Sequence, residues 1–91
     1  MLVLVVYDIA DDRRRTGLSD FLEGYGRRVQ ESVFECFLSL NEMQKLHQKI
    51  KRRVKLPEDN VRFYWIPADA LGRTLTLGSD PPEPPPKVYI I

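Results

Sequence analysis

The run from Leu2 to Tyr7 is apolar at both parities and rich in valine, which predicts a strand that must be covered on both faces. It ends in Asp8, a residue of poor strand propensity whose carboxylate is costly near a core unless it gains hydrogen bonds, a cation or a metal. Asp8 is therefore either a turn-maker or a ligand. Asp11 or Asp12 can then cap a helix in which Leu18, Phe21, Leu22 and Tyr25 recur at helical spacing, ended by Gly24 and Gly26. Gly17 sits inside it, where Ala would be better by about 1 kcal/mol. From Arg28 to Leu40, Phe34, Cys36, Leu38 and Leu40 alternate with Val29, Glu31, Val33, Glu35 and Phe37. The alternation predicts one long second strand with a mixed outer face. Asn41 with Gln44 resembles a capping box and opens a second helix with Met43, Leu46, Ile50 and Val54 on one side, terminated by Pro57. Val61 to Ile66 is aromatic and β-branched, a third strand stopped by Pro67, and Thr74 to Leu77 reads as a weaker fourth.

The tail changes character. Ser79 to Pro86 contains Pro81, Pro82, Pro84, Pro85 and Pro86, which favour extended polyproline and exclude strand pairing. Beyond this stiff spacer, Lys87 to Ile91 reads as a strand carried away from its own hairpin, to the edge of a partner subunit's sheet. A proline-rich ligand for an adaptor domain is the rival reading of the same stretch. The expected organisation is thus a domain over 1–78, a spacer over 79–86 and a C-terminal strand over 87–91.

Two helices and several short strands in this order predict an α+β, ferredoxin-like (βαββαβ) fold: an antiparallel sheet with both helices on one face, plus the extra C-terminal strand. The other sheet face would be open in a monomer, although the first strand is apolar on that side and Val29, Val33 and Phe37 add to it. Sheet-to-sheet packing into a homodimer would cover it. The two-fold axis of such a dimer could bring two copies of Asp8 together, and a pair of hard oxygen ligands suits magnesium or manganese.

Composition narrows the classes. The chain has 91 residues, 43% hydrophobic and 30% charged, which is one small globular domain rather than a disordered or membrane-spanning chain. Its first apolar run is too short, and too poorly flanked, for a signal peptide, so a cytoplasmic protein with no membrane segment is expected. One cysteine, Cys36, cannot form an internal disulfide and is expected to pack in its strand. His47, the only histidine, lies on the flank of a helical stripe with no partner spaced nearby, and no chemistry is assigned to it. The net charge is only +1, but ten of the fourteen basic residues cluster in Arg13 to Arg15, Arg27 with Arg28, and the Lys49 to Lys55 run. Such runs are either solvated helix faces or local phosphate-binding patches.

Tyr7-Asp8-Ile9, Asp11-Asp12, the Arg13 to Arg15 run, Tyr25-Gly26 and the stretch Arg28-Val29-Gln30 with Ser32-Val33-Phe34-Glu35 closely resemble the CRISPR-associated Cas2 family. The match runs to about Leu40 and resumes loosely at Val61 to Pro67. The resemblance implies a ferredoxin-like homodimer that acts beside the Cas1 integrase in acquiring new spacers for antiviral defence. Several members of the family also look like metal-dependent endonucleases on single-stranded RNA or double-stranded DNA. Carried over by position, the family's metal ligand and catalytic acid is Asp8, with Mg2+ (or Mn2+) as cofactor and Tyr7 as the hydrophobe before it. Its basic, nucleic-acid-binding positions fall on Arg13, Arg14, Arg15, Arg27 and Arg28, and its Ser-x-Phe element on Ser32 and Phe34. Ser32 also reads as a small strand residue and Phe34 as a core aromatic. The proline-rich tail departs from the shortest family members.

In the nuclease reading a metal neutralises charge on the phosphate and activates water while arginines clamp phosphate oxygens. One carboxylate per chain is sparse for that, since Asp11 and Asp12 also read as helix caps. A non-catalytic dimer that holds DNA and bridges Cas1 dimers therefore stands as the alternative. A regulatory module for a small molecule has no Gly-rich loop or cysteine cluster to support it.

Overall fold

A computed structural model describes residues 1–84. Along the chain run β1 (Leu2–Asp8), α1 (Asp12–Leu22), β2 (Arg27–Gln30), β3 (Val33–Phe37), α2 (Leu40–Lys51), β4 (Asn60–Ile66) and a short α3 (Ala68–Leu71). The strands form one sheet in the order β2-β3-β1-β4, every neighbouring pair antiparallel. This is the expected ferredoxin-like βαββαβ order, with α3 appended. Among the described residues no helix is long and apolar enough to cross a membrane.

Strand alternation sorts the sheet into two unlike faces. Val3, Val5 and Tyr7 of β1 join Phe34 and Cys36 of β3 in a core closed by Leu18 and Leu22 of α1 and Leu46 and Ile50 of α2. Each fully buried Leu, Ile or Phe there contributes about 1.5–3 kcal/mol. Burial pushes the Cys36 thiol up to about 12, so this cysteine packs as a small apolar residue, as expected. On the opposite face Leu4 lies between Glu35 and Tyr64, Val6 between Val33 and Arg62, and Asp8 beside Asn60. Leu4, Val6, Val33 and Phe37 are only half-buried there, and Tyr64 is exposed. The apolar character of β1 at both parities thus corresponds to a helix-covered face and an open one.

Local chemistry sets the element ends. Asp11 caps α1, its carboxylate accepting the Arg14 N–H at 2.9 Å. The second helix starts earlier than Asn41 and Gln44 predict: Ser39 and Glu42 form the capping box, with bonds of 3.1 and 2.8 Å, and Asn41 and Gln44 lie inside the helix. It also ends at Lys51, well before Pro57, because the chain then turns to bring the Lys55 N–H onto Asp59 at 2.8 Å. The long strand expected from Arg28 to Leu40 is a hairpin. Its chain breaks at Glu31 and Ser32, whose carbonyls accept the Tyr7 hydroxyl and the Tyr7 N–H, both at 3.0 Å, instead of continuing a ladder. A register shift between Arg28 and Gln30 bends β2 further.

Gly26 is required where the chain returns from α1 to β2. A Cβ there would lie 2.6 Å from the Cys36 Sγ and 2.9 Å from its Cα, and would strike the Glu35 carbonyl. The expected strand at Thr74 to Leu77 is not formed. Thr74 closes α3 instead, through its N–H to Leu71 and its hydroxyl to Ala70, and Leu75 and Leu77 are almost wholly exposed. Residues 79–84 carry neither helix nor strand, and the end of the spacer with the C-terminal strand expected at 87–91 lies outside the described residues. His47 sets its ring edge-on to Phe63 at 5.4 Å, and Trp65, on the edge strand β4, is 38% exposed.

Candidate nucleic-acid and metal site

Asp8 is the last residue of β1 and is exposed, so its carboxylate has escaped the core that the strand enters. It opens into a cleft of about 500 Å³ shared with Arg15, Arg28, Glu31 and Ser32, with Tyr7 and Ile9 behind it. Three elements meet here: the end of β1, the first turn of α1 and the β2–β3 hairpin. Tyr7 is buried against Phe34, ring centroids 6.4 Å apart, and its hydroxyl anchors the hairpin through the Glu31 carbonyl. Arg28 donates to the same carbonyl at 2.8 Å, which draws its guanidinium to the rim of the cleft. Arg15 folds back over the β1–α1 turn, donating to the Ile9 carbonyl at 3.2 Å and pairing with Asp12.

The other sequence-derived positions fall differently. Phe34 is fully buried in the core and Ser32 half-buried in the cleft wall. Arg13 is exposed on the first turn of α1. Arg27 lies across from Glu35 on the open face, 3.6 Å away, and this cation partly offsets the burial that raises the Glu35 carboxyl above its usual range. Arg14 is engaged elsewhere. Its Nε and Nη2 donate to Asp59 at 2.8 and 3.1 Å, and Nη2 also to Glu58 at 2.7 Å. These bonds raise its own affinity for the proton and hold the Asp59 carboxyl well below the usual carboxylate range.

Glu58 and Asp59 as the partners of Arg14, and Glu31 as a neighbour of Asp8 in the cleft, are not legible in the sequence. An acid pair just ahead of an apolar strand is a faint signal for the first two, and nothing local marks the third.

As a metal site, the donor set of one chain is partial. Asp8 is an accessible hard oxygen ligand, but among the described residues no group of three or more His, Cys, Asp or Glu is gathered around it or anywhere else. Magnesium commonly keeps several waters and takes one or two carboxylates together with phosphate oxygens, so a half-site of this kind fits it.

The model of the family described as CRISPR associated protein Cas2 matches residues 1–74. A CRISPR-associated endoribonuclease Cas2 of Synechocystis is 43% identical, the alignment covering 99% of this chain and 100% of that one. Among solved structures, Streptococcus pyogenes Cas2 superposes with a TM-score of 0.73 at 31% identity, over 86% of this chain and 100% of the other. A chain of a partial Cas6-RT-Cas1–Cas2 complex does so with a TM-score of 0.72 at 34% identity, over 88% and 93%.

Proposed function

Because the chain belongs to the CRISPR-associated Cas2 family, we propose that it serves spacer acquisition as a homodimer that binds nucleic acid and hydrolyses its phosphodiester bonds with Mg2+ or Mn2+. The observation that carries this reading is the cleft in which Asp8 stands exposed beside Arg15, Arg28 and Ser32. A bound divalent cation would supply charge neutralisation at the scissile phosphate and a more acidic attacking water. Asp8 would hold that cation, its copy in a second chain completing the half-site across the open sheet face. Arg15 and Arg28, already tethered to backbone carbonyls, would meet phosphate oxygens with their remaining donors. Ser32 gives the cleft wall a small hydroxyl rather than a bulky side chain. With both arginines spent on phosphate oxygens, recognition would rest on the backbone.

The sparse donor set favours a second reading, in which the dimer holds DNA and bridges Cas1 without cutting. Its support is the lack, among the described residues, of any group of three or more side chains that could hold a metal and the likeness to a chain from a Cas1-containing complex. Asp8→Ala separates the two. Under the nuclease reading, cleavage of RNA or DNA with Mg2+ or Mn2+ falls by about a hundredfold or more while the exposed position leaves Tm within about 3 °C. Wild-type protein that cuts neither substrate with either metal, together with normal spacer acquisition by Asp8→Ala, would leave the adaptor.

A further inference from the structure

Asp59 is the one buried charged residue among those described, with none of its side chain exposed. Its Oδ1 accepts the Ala10 N–H at 3.0 Å and Arg14 Nη2 at 3.1 Å; its Oδ2 accepts Arg14 Nε and the Lys55 N–H, both at 2.8 Å. Two of these partners belong to the segment that leaves Asp8: Ala10 two residues beyond it and Arg14 six beyond. The residue after Asp59, Asn60, is the cross-strand partner of Asp8. The start of β4 therefore grips Asp8 from its own strand and from the turn that follows. A buried ion pair contributes little net stability over a packed apolar pair, because desolvation offsets most of the attraction. What four directed hydrogen bonds do supply is a fixed geometry for the turn.

We propose that Asp59 is a positioning residue: through Ala10 and Arg14 it holds the β1–α1 turn so that the Asp8 carboxylate stands in the cleft with Arg15. This rests on the reading of Asp8 as the metal ligand. Displacements of an ångström at a reacting group cost large factors in rate, so the hold on the turn belongs to the site rather than only to the core. Arg14 is thereby assigned to Asp59 and not to phosphate.

The test is Asp59→Asn in the full chain, a change of nearly equal size that removes the charge and one acceptor. The expected result is hydrogen exchange at the Ala10 amide faster by about tenfold or more, with Val5 in β1 unchanged, and Mn2+ affinity by electron paramagnetic resonance weaker by about tenfold. A lower Tm with both Ala10 exchange and Mn2+ affinity within about twofold of wild type would overturn the proposal, as would faster exchange with unchanged affinity. If wild-type protein binds no Mn2+, it is the metal reading that fails. The Asp8 carboxyl carbon resonance at neutral pH then decides: a shift in Asp59→Asn supports positioning, and an unmoved resonance overturns it. Should Asp59→Asn not fold, Arg14→Lys keeps the cation and the carboxylate but loses the fork. It should shift the same readouts in the same direction by about threefold, and no shift would overturn the proposal.

Discussion

Arg14 and Arg15 are adjacent in sequence and share the first turn of α1, yet they belong to opposite regimes. Arg14 turns toward a buried carboxylate and spends Nε and Nη2 on Asp59 and Glu58; Arg15 lies over the β1–α1 turn, half exposed, at the rim of the cleft that holds Asp8. Asp59 and Asp8 make the same contrast among the acids: one has four donors and no exposed surface, the other is open to solvent. A basic run is thus not one patch. Helical rotation divides it between a group that locks elements together and a group left at the rim of the cleft.

The largest break in this comparison should come from Arg14→Ala, which leaves a buried carboxylate without its cation. We expect Tm to fall by about 10 °C or more in a thermal melt, with the salt dependence of DNA binding by the folded protein unchanged. Arg15→Ala and Arg28→Ala should do the reverse. Each should lower the slope of log affinity against log salt by about 1, uniformly across DNA sequences, and move Tm by no more than about 3 °C. Equal salt slopes for Arg14→Ala and Arg15→Ala would abolish the distinction.

Acid sharpens the same contrast from the buried side. The folded Asp59 carboxyl is held below its ordinary value of 3.8. Its contribution is therefore fully present above that value and is lost as pH falls through the lower, folded one. Denaturant titrations below about pH 4 should show wild-type stability falling with a steeper slope than that of Asp59→Asn, by about one proton. The smallest effect tests the helix that carries both arginines. At Gly17 a Cβ meets nothing within 4 Å, so Gly17→Ala should raise stability by about 0.5–1 kcal/mol without moving salt slope or metal affinity.

Much of this was legible in the chain itself. The two-parity apolar run of β1, the stripe of α1 and the β-branched β4 are strong periodic signals, and each produced its element in place. What failed was decided by contacts remote in sequence. The hairpin at Glu31 and Ser32 forms because Tyr7, 24 and 25 residues away, bonds their carbonyls. The early end of α2 reflects the draw of Asp59 on Lys55, and the capping box lies two residues ahead of Asn41 and Gln44 because Leu40, which continues the strand alternation, is helical. In the site, Asp8, Arg15, Arg28 and Ser32 were expected and do share one cleft. Phe34 packs in the core, and Arg14 belongs to an ion pair whose acids lie 44 and 45 residues further on, a distance over which local pattern carries no information.

That separation also governs when the site comes into being. Ala10 and Arg14 reach Asp59 across 49 and 45 residues, and the β1–β4 pairs beside them close still longer loops. Contacts of such span form late, after local helices and hairpins, because chain entropy must be overcome before they stabilise anything. On a growing chain β1, α1 and the hairpin emerge first, and Asp8 is set in place only once β4 has joined the sheet. The cleft with its acid is therefore a last product of folding, finished by the strand furthest from it in sequence.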